Sequence, residues 1–485
     1  MQADGGYKWK ALGTVSVGAF MATLDASVVN IAFPTLARVF HTTPDTVLWV
    51  TLAYILVSTG LTLTLGRVGD LLGRKRIYAW GFVIFTLGLA LSAAAQSLPQ
   101  LVAARVVQAV GGAMTVSNGT AIVTDAFPAS QRGQAIGIIG SVVGAGLAAG
   151  PALGGLILTA LDWRAIFYTQ LPVGILGSVV AFRVLRADRG AHGPRSVDLL
   201  GAGALFVTLA SLILAVNRGQ AWGWRSPTIL GLLALAAAGA AAVLWVEGRL
   251  VASPILDLNL FRSRLFSGAV ASLVMSFLAT AGLTFLMPFY LTEVLGYPAA
   301  RTGLVLTTVP LTMLLVAPIS GSLSDTWGPR YLATLGLALT AAGLLSFQTA
   351  GAGTGTVGVV ARLLLVGLGA GLFQSPNNSS IMGAAPRDRL GTASAMIATS
   401  RSTGQAVGLA LAGALFTYSA VRAAGGGTAG PEGLDAPAVL TGIHAALLAS
   451  ALIAAAAIPV SLLRGRPLEE AAAQEAGRAE SRAGR

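Results

Sequence analysis

Apolar stretches of about twenty residues recur from one end of this chain to the other. A helix of that length crosses about 30 Å of hydrocarbon. A soluble core cannot conceal so many helices that are apolar all round. Charge usage agrees: 10% of the 485 residues are charged and 55% are hydrophobic, against roughly 25% charged in soluble domains. The chain is expected to be an all-α membrane protein whose first partner is the lipid bilayer.

Length and flanking polar residues predict fourteen spans. The first begins after Lys8 and Lys10, contains Asp25 and lacks an A-x-A-like cleavage site, so it reads as a retained helix. Orientation follows from the basic residues. Of 31 Lys and Arg, Arg38, Arg164, Arg218, Arg225, Arg301 and Arg422 fall on one side and Arg105, Arg362 and Arg401 inside spans; the rest fall on the other side. That side is predicted to be cytoplasmic, with both termini on it.

The chain repeats itself. "GRVGDLLGRK" (66–75) matches "GSLSDTWGPR" (321–330), pairing Gly66, Asp70 and Gly73 with Gly321, Asp325 and Gly328. "ARVVQAVGGA" (104–113) matches "ARLLLVGLGA" (361–370), and Gly146 and Gly150 match Gly404 and Gly408. Order and offset are preserved, as two halves of like orientation require. The expected organisation is a cytoplasmic N-terminus (1–10), a six-helix bundle (11–190), two linking helices (191–250), a second six-helix bundle (251–463) and a cytoplasmic tail (464–485). Parallel repeats of six spans are a transporter architecture, with substrate and ion sites between the halves.

Four local motifs carry a family resemblance. They are "LDASVVNIAFP" (24–34), "GRVGDLLGRKR" (66–76), "RVVQAVGGA" (105–113) and "GIIGSVVGAGLAAGPALGG" (137–155). Over nearly its whole length the chain resembles a major facilitator superfamily transporter of the fourteen-helix drug–proton antiporter branch. Ser27 stands where that branch usually has Thr, and Ala109 where it has Gly. The resemblance implies proton-coupled export of an amphipathic, often cationic compound, a gating role for the 66–76 loop, and an antiporter motif on helix 5. That motif comprises Gly137, Gly146, Gly150, Pro151, Gly154 and Gly155. Phe20, Trp49 and Tyr54 are substrate-cavity candidates by family position, and Gln108 joins them from the fourth-helix motif.

Each motif also has a physical reading. In lipid, helices associate through close packing, which small residues permit. Gly146, Gly150 and Gly154 recur every four residues, as do Gly404, Gly408 and Ala412, and both stripes are expected where the two halves meet. Pro151 removes a backbone hydrogen bond and can kink its helix. Gly73 permits a tight turn, with Asp70 ending one helix and Arg74, Lys75 and Arg76 following; Asp70 is expected to pair with a neighbouring helix end or Arg.

A carboxylate within a membrane helix costs roughly 2.5–3.5 kcal/mol on insertion scales. Asp25 lies about 12 Å from the outer end of its span and Arg105 about 9 Å from that of its own, by helical rise. Opposite charges at similar depth suggest a pair, with Asp25 as the proton-coupling carboxyl. In the second half Glu293 is the candidate partner of Arg362, while Arg401 has none. "FQSPNNSS" (373–380) is a polar patch at membrane depth, tolerable only on a cavity or against protein; Asn377, Asn378 and Arg401 are therefore further cavity candidates.

Several function classes are disfavoured. There is no cysteine and only three separated His residues, so no metal site is expected. No "GxxxxGK[ST]" occurs, so neither an ATPase subunit nor ATP is expected to drive transport. The net charge of +12 is scattered, which speaks for membrane topology over nucleic acid. No enzyme chemistry and no cofactor are predicted, the proton motive force supplying the energy. Import of a small solute on the same fold is the alternative reading. The Ala-, Gly- and Arg-rich composition points to a bacterial cytoplasmic membrane.

Overall fold

The computed structural model describes residues 5–128, 131–186, 199–249, 258–385, 390–425 and 435–464. Among them all regular structure is helical. The N-terminal bundle contains α1 (Gly5–Ile31), α2 (Trp49–Leu72), α3 (Arg74–Ala94), α4 (Leu98–Ala126), α5 (Arg132–Ala160) and α6 (Leu171–Val184). Two linking helices follow, α7 (Leu199–Trp222) and α8 (Pro227–Arg249). The second bundle contains α9 (Arg264–Phe289), α10 (Thr308–Trp327, preceded by a short helix Ala299–Leu306), α11 (Pro329–Ser346), α12 (Thr356–Gly383), α13 (Leu390–Ala423) and α14 (Ala436–Leu463).

Twelve helices among the described residues are long and apolar enough to cross a membrane. The expected count of fourteen is not reached. The linking helices are present, and their described apolar parts cover Gly203–Gly219 and Pro227–Val243.

The repeat seen in sequence is a repeat of structure. Gly73 ends α2 at φ 97° and Gly328 ends α10 at φ 83°, a region open to glycine at little cost. Gly81 and Gly111 bring α3 and α4 into backbone contact, and Gly336 and Gly369 do the same for α11 and α12. Bare backbone is what packs helices where lipid removes the hydrophobic drive between them.

The glycine stripes lie elsewhere than expected. Gly146, Gly150 and Gly154 face Thr23, Ser27 and Ile31 of α1, within their own bundle, and Gly404 and Gly408 face Val274 and Leu278 of α9. Four-residue spacing selects a close helical neighbour without specifying which. The seam between bundles is instead formed by Pro151 and Gly155, against the backbone of Ala299 and Gly303.

The helix ends that carry Arg74, Lys75, Arg76 and Arg330 define a basic face; Asp45, Asp162 and Glu293 lie at the far face. Contact between the bundles concentrates at the far face. The rings of Phe33 and Phe285 meet edge-on at 5.8 Å, the Ala300 amide donates to Thr159 Oγ1 at 2.9 Å, and Thr417 Oγ1 donates to Asp45 Oδ1 at 3.3 Å. Glu293 lies 3.9 Å from Arg38, not beside Arg362 as expected. Arg362 donates instead to the carbonyls of Ser346 and Gly358, because the turn of chain that ends α11 reaches its guanidinium first.

One face of α5 shows how the bundles diverge. Gly155 and Gly137 are five turns apart and share that face. Gly155 touches backbone of the other bundle, Gly144 meets only the Leu314 side chain, and Gly137 has open space before it. The bundles are closed at the far face and parted towards the basic face.

Candidate functional site

Helix α1 passes between an ion pair and a cavity. On one side Asp25 Oδ2 accepts from Arg105 Nη1 of α4 at 2.6 Å, with both side chains 0% exposed. The same Nη1 donates to Gln108 Oε1 at 2.6 Å, and Arg105 Nε donates to the Val50 carbonyl at 3.2 Å. The guanidinium stacks 4.5 Å from the Tyr54 ring centroid, a cation–π contact that strengthens when desolvated. Among the described residues Asp25 Oδ1, Arg105 Nη2 and Gln108 Nε2 have no hydrogen-bond partner. The fourth-helix motif builds this arrangement: Gln108 follows Arg105 by one turn, and Gly112 leaves room for the Tyr54 hydroxyl. In this conformer the pair is sealed from solvent.

On its other side α1 contributes Ala26, Ser27 and Asn30 to a cavity between the bundles. Leu147 and Pro151 of α5 adjoin them, and across the seam stand Ser276, Phe277, Thr280, Thr284 and Met287 of α9, with Gln374 of α12 and Gln405 of α13. Ser27 Oγ donates to the Leu147 carbonyl at 3.0 Å, which ties α1 to α5 at the glycine stripe. The wall is mostly apolar with a few polar groups, as small-molecule sites are.

The seven sequence-predicted cavity residues lie off this wall. Tyr54 and Gln108 serve the ion pair. Phe20 is half-buried on α1 beside Gly146. Trp49 Nε1 donates to Asn217 Oδ1 of α7 at 2.8 Å. Asn377 Nδ2 donates to the Ala269 carbonyl, while its Oδ1 accepts from Arg464. Asn378 Oδ1 is buried without a partner. Arg401 lies 5.4 Å from the ring of Phe277, a wall residue, and its Nε has no partner among the described residues. Sequence spacing alone could not assign the helix face each of them presents.

At the basic face Asp70 Oδ1 accepts from Arg74 Nε at 2.8 Å, and Arg74 also binds Asp125 at the end of α4. Arg67 stands 3.8 Å from Asp70, Lys75 is half-buried, and Gly66 packs against Ser117. This network joins helices of one bundle. The side chain of Asp325, its repeat counterpart, lies outside the described residues.

Sequence reading missed three residues. Gly69 gives Asn118 its place against α2, and only its position within the loop motif hinted at this. Asn217 of α7 holds both Trp49 and the Asp45 carbonyl. Arg464, expected to begin the cytoplasmic tail, is 1% exposed; it donates to Asn377 Oδ1 at 2.5 Å and to the Pro329 carbonyl at 3.0 Å. Burial, with the charge of Arg330 nearby, lowers its pKa to about 10.

Two repeated bundles of membrane-crossing helices around a shared cavity define a multi-pass membrane transporter. The Major Facilitator Superfamily signature matches residues 15–409 and 269–483, and the chain belongs to that family. Among relatives, it is 35% identical over 412 residues to the riboflavin transporter RibZ of Clostridioides difficile, covering 85% of this chain and 89% of that one. It is 33% identical to the multidrug resistance protein Stp of Mycobacterium tuberculosis, over 82% of this chain and 74% of that one. Among solved structures, a bacterial homologue of the human lysosomal transporter Spinster, inward-facing and unoccupied, superposes with a TM-score of 0.69 at 15% identity, over 94% of this chain and 97% of that one.

Proposed function

We propose that this transporter exports amphipathic organic compounds in exchange for protons, by alternating access, across a bacterial cytoplasmic membrane. The observation that carries the reading is the placement of α1 between the Asp25–Arg105 pair and the cavity. A proton change on one side of that helix can then bias the other. Protonation of Asp25 removes its charge, and Arg105 keeps Val50, Gln108 and Tyr54 as neutral company. Loss of the proton restores the contact found here. The conformer thus corresponds to the deprotonated, substrate-ready state, with proton uptake assigned to a conformer opened at the far face.

The basic face is the cytoplasmic one in this reading, by the excess of Lys and Arg, and both termini lie there. The Asp70–Arg74–Asp125 network is the cytoplasmic gate element, and Pro151 and Gly155 form the outer seam on which the bundles rock. The lengths of α7 and α8, 24 and 23 residues, support their membership of the membrane domain and hence the fourteen-span drug–proton antiporter branch. The multidrug resistance relative supports export. Transport so driven needs no cofactor, nucleic acid or ATPase subunit.

The test is dye accumulation in everted vesicles with and without a proton gradient. Asp25→Asn is expected to abolish gradient-driven accumulation while leaving folded protein in the membrane; full retained export defeats the coupling role. The riboflavin transporter relative favours a second reading, inward movement of a small solute through the same cavity. Right-side-out vesicles separate the two, since only the second predicts gradient-dependent uptake there.

A further inference from the structure

The cavity wall carries no charged residue among the described residues. Asp25, the only carboxylate on α1, faces away and is neutralised by Arg105. Glu293 and Asp45 sit at the far face, engaged by Arg38 and Thr417. A cation entering this space would shed its water with no counter-charge to replace it, a heavy cost in a low-dielectric site. A positive charge lies beside the wall. Arg401 lies one helical turn from Gln405 on α13, with its guanidinium 5.4 Å from the Phe277 ring and its Nε unpartnered among the described residues.

The hydrogen-bonding groups are equally selective. Ser27, Thr280 and Thr284 donate their hydroxyl protons to backbone carbonyls. The donors left on the wall are the Ser276 hydroxyl and the carboxamides of Asn30, Gln374 and Gln405, from four helices and both bundles. Asn30 Oδ1 has no partner among the described residues. Carboxamides present N–H donors to ligand carbonyls and accept from ligand N–H or O–H groups. Around them stand Phe277, Phe373, Met287 and Met313, aromatic and thioether surfaces that suit a flat ring system.

We propose that the cavity binds uncharged or anionic aromatic compounds bearing carbonyl oxygens and rejects lipophilic cations. This rests on the cavity being the transport site, and it departs from the cationic substrates that the family resemblance implies. Arg401 acts as the discriminating charge, repelling cations and favouring anions, and the three carboxamides read the carbonyl edge.

Equilibrium binding tests it without any gradient. The full chain in lipid nanodiscs is titrated with three dyes of one ring system: rhodamine 123 (cationic), fluorescein (anionic) and the uncharged methyl ether methyl ester of fluorescein. Fluorescence anisotropy is expected to give dissociation constants about tenfold or more lower for the last two than for rhodamine 123, a difference within reach of one charge contact. Arg401→Gln is expected to weaken fluorescein roughly fivefold, and Arg401→Lys to keep its affinity. Should Arg401→Gln not fold, Gln405→Leu is expected to weaken both carbonyl dyes by a similar factor. Rhodamine 123 binding as tightly as the others overturns the proposal, as does failure of all three to bind. A dye that binds as expected but does not move under an imposed pH gradient in proteoliposomes counts against proton-coupled export and leaves the binding inference standing.

Discussion

Arg105 holds Asp25 at 2.6 Å with neither side chain exposed, while the next residues of α1 line the cavity. The pair stands beside the cavity, not in it. Any influence of one on the other passes through the single helix that carries both.

The pair should behave as a unit. Removing one partner of a buried ion pair costs about 3–5 kcal/mol, because the other charge is left uncompensated. Arg105 retains three neutral partners, so Asp25→Ala is expected at the lower end of that range. The double variant Asp25→Leu, Arg105→Leu should recover most of the loss and remain inactive in proton-driven transport. Thermal unfolding in detergent checks this; equal midpoints for the single and double variants would contradict it.

The glycines of α5 should divide into two classes. Gly155→Leu pushes a side chain into the backbone of Ala299 and so opposes closure at the far face. With no native cysteine in the chain, a cysteine at Asn30 reports accessibility cleanly. Its labelling by an impermeant thiol reagent from outside is expected to rise about tenfold, as a shift of roughly 1.4 kcal/mol between conformers requires. Gly150→Leu collides with Ser27 inside one bundle and should lower stability by about 1–3 kcal/mol without that gain.

Asn217 links a helix outside both bundles to the far-face closure. Its side chain binds Trp49 Nε1 and the Asp45 carbonyl, and Asp45 in turn receives Thr417 of the second bundle. Asn217→Ala should weaken the closed far face by about 1–2 kcal/mol. The expected readout is increased outside labelling of the same Asn30 cysteine. Unchanged labelling would mean that α7 is a bystander.

At the basic face Arg464 should be structural. Truncation to Ala leaves Asn377 Oδ1 and the Pro329 carbonyl without this donor, for a loss of about 2 kcal/mol. The exposed Arg422, which donates to the Tyr418 hydroxyl, should change stability by less than about 0.5 kcal/mol when truncated. Paired thermal unfolding of the two variants decides it.

Much of this was readable from the residues alone. Apolar run length gave the membrane class, because a bilayer imposes one length on every span. The spaced glycines and the Asp70–Gly73 turn gave the repeat, because a turn at positive φ and a backbone contact each demand one residue type at one place. Depth suggested that Asp25 and Arg105 could meet, because helical rise is fixed. Helix rotation and neighbour choice needed the tertiary structure. A four-residue glycine stripe fits any close partner, so only packing sent Gly150 to Ser27 and Gly155 to Gly303. Arg464 and Asn217 lie at helix ends, where sequence reads a solvated boundary and only the folded chain shows what closes over them. Depth is a property of one helix, but the face a side chain presents to a cavity is a property of all its neighbours together.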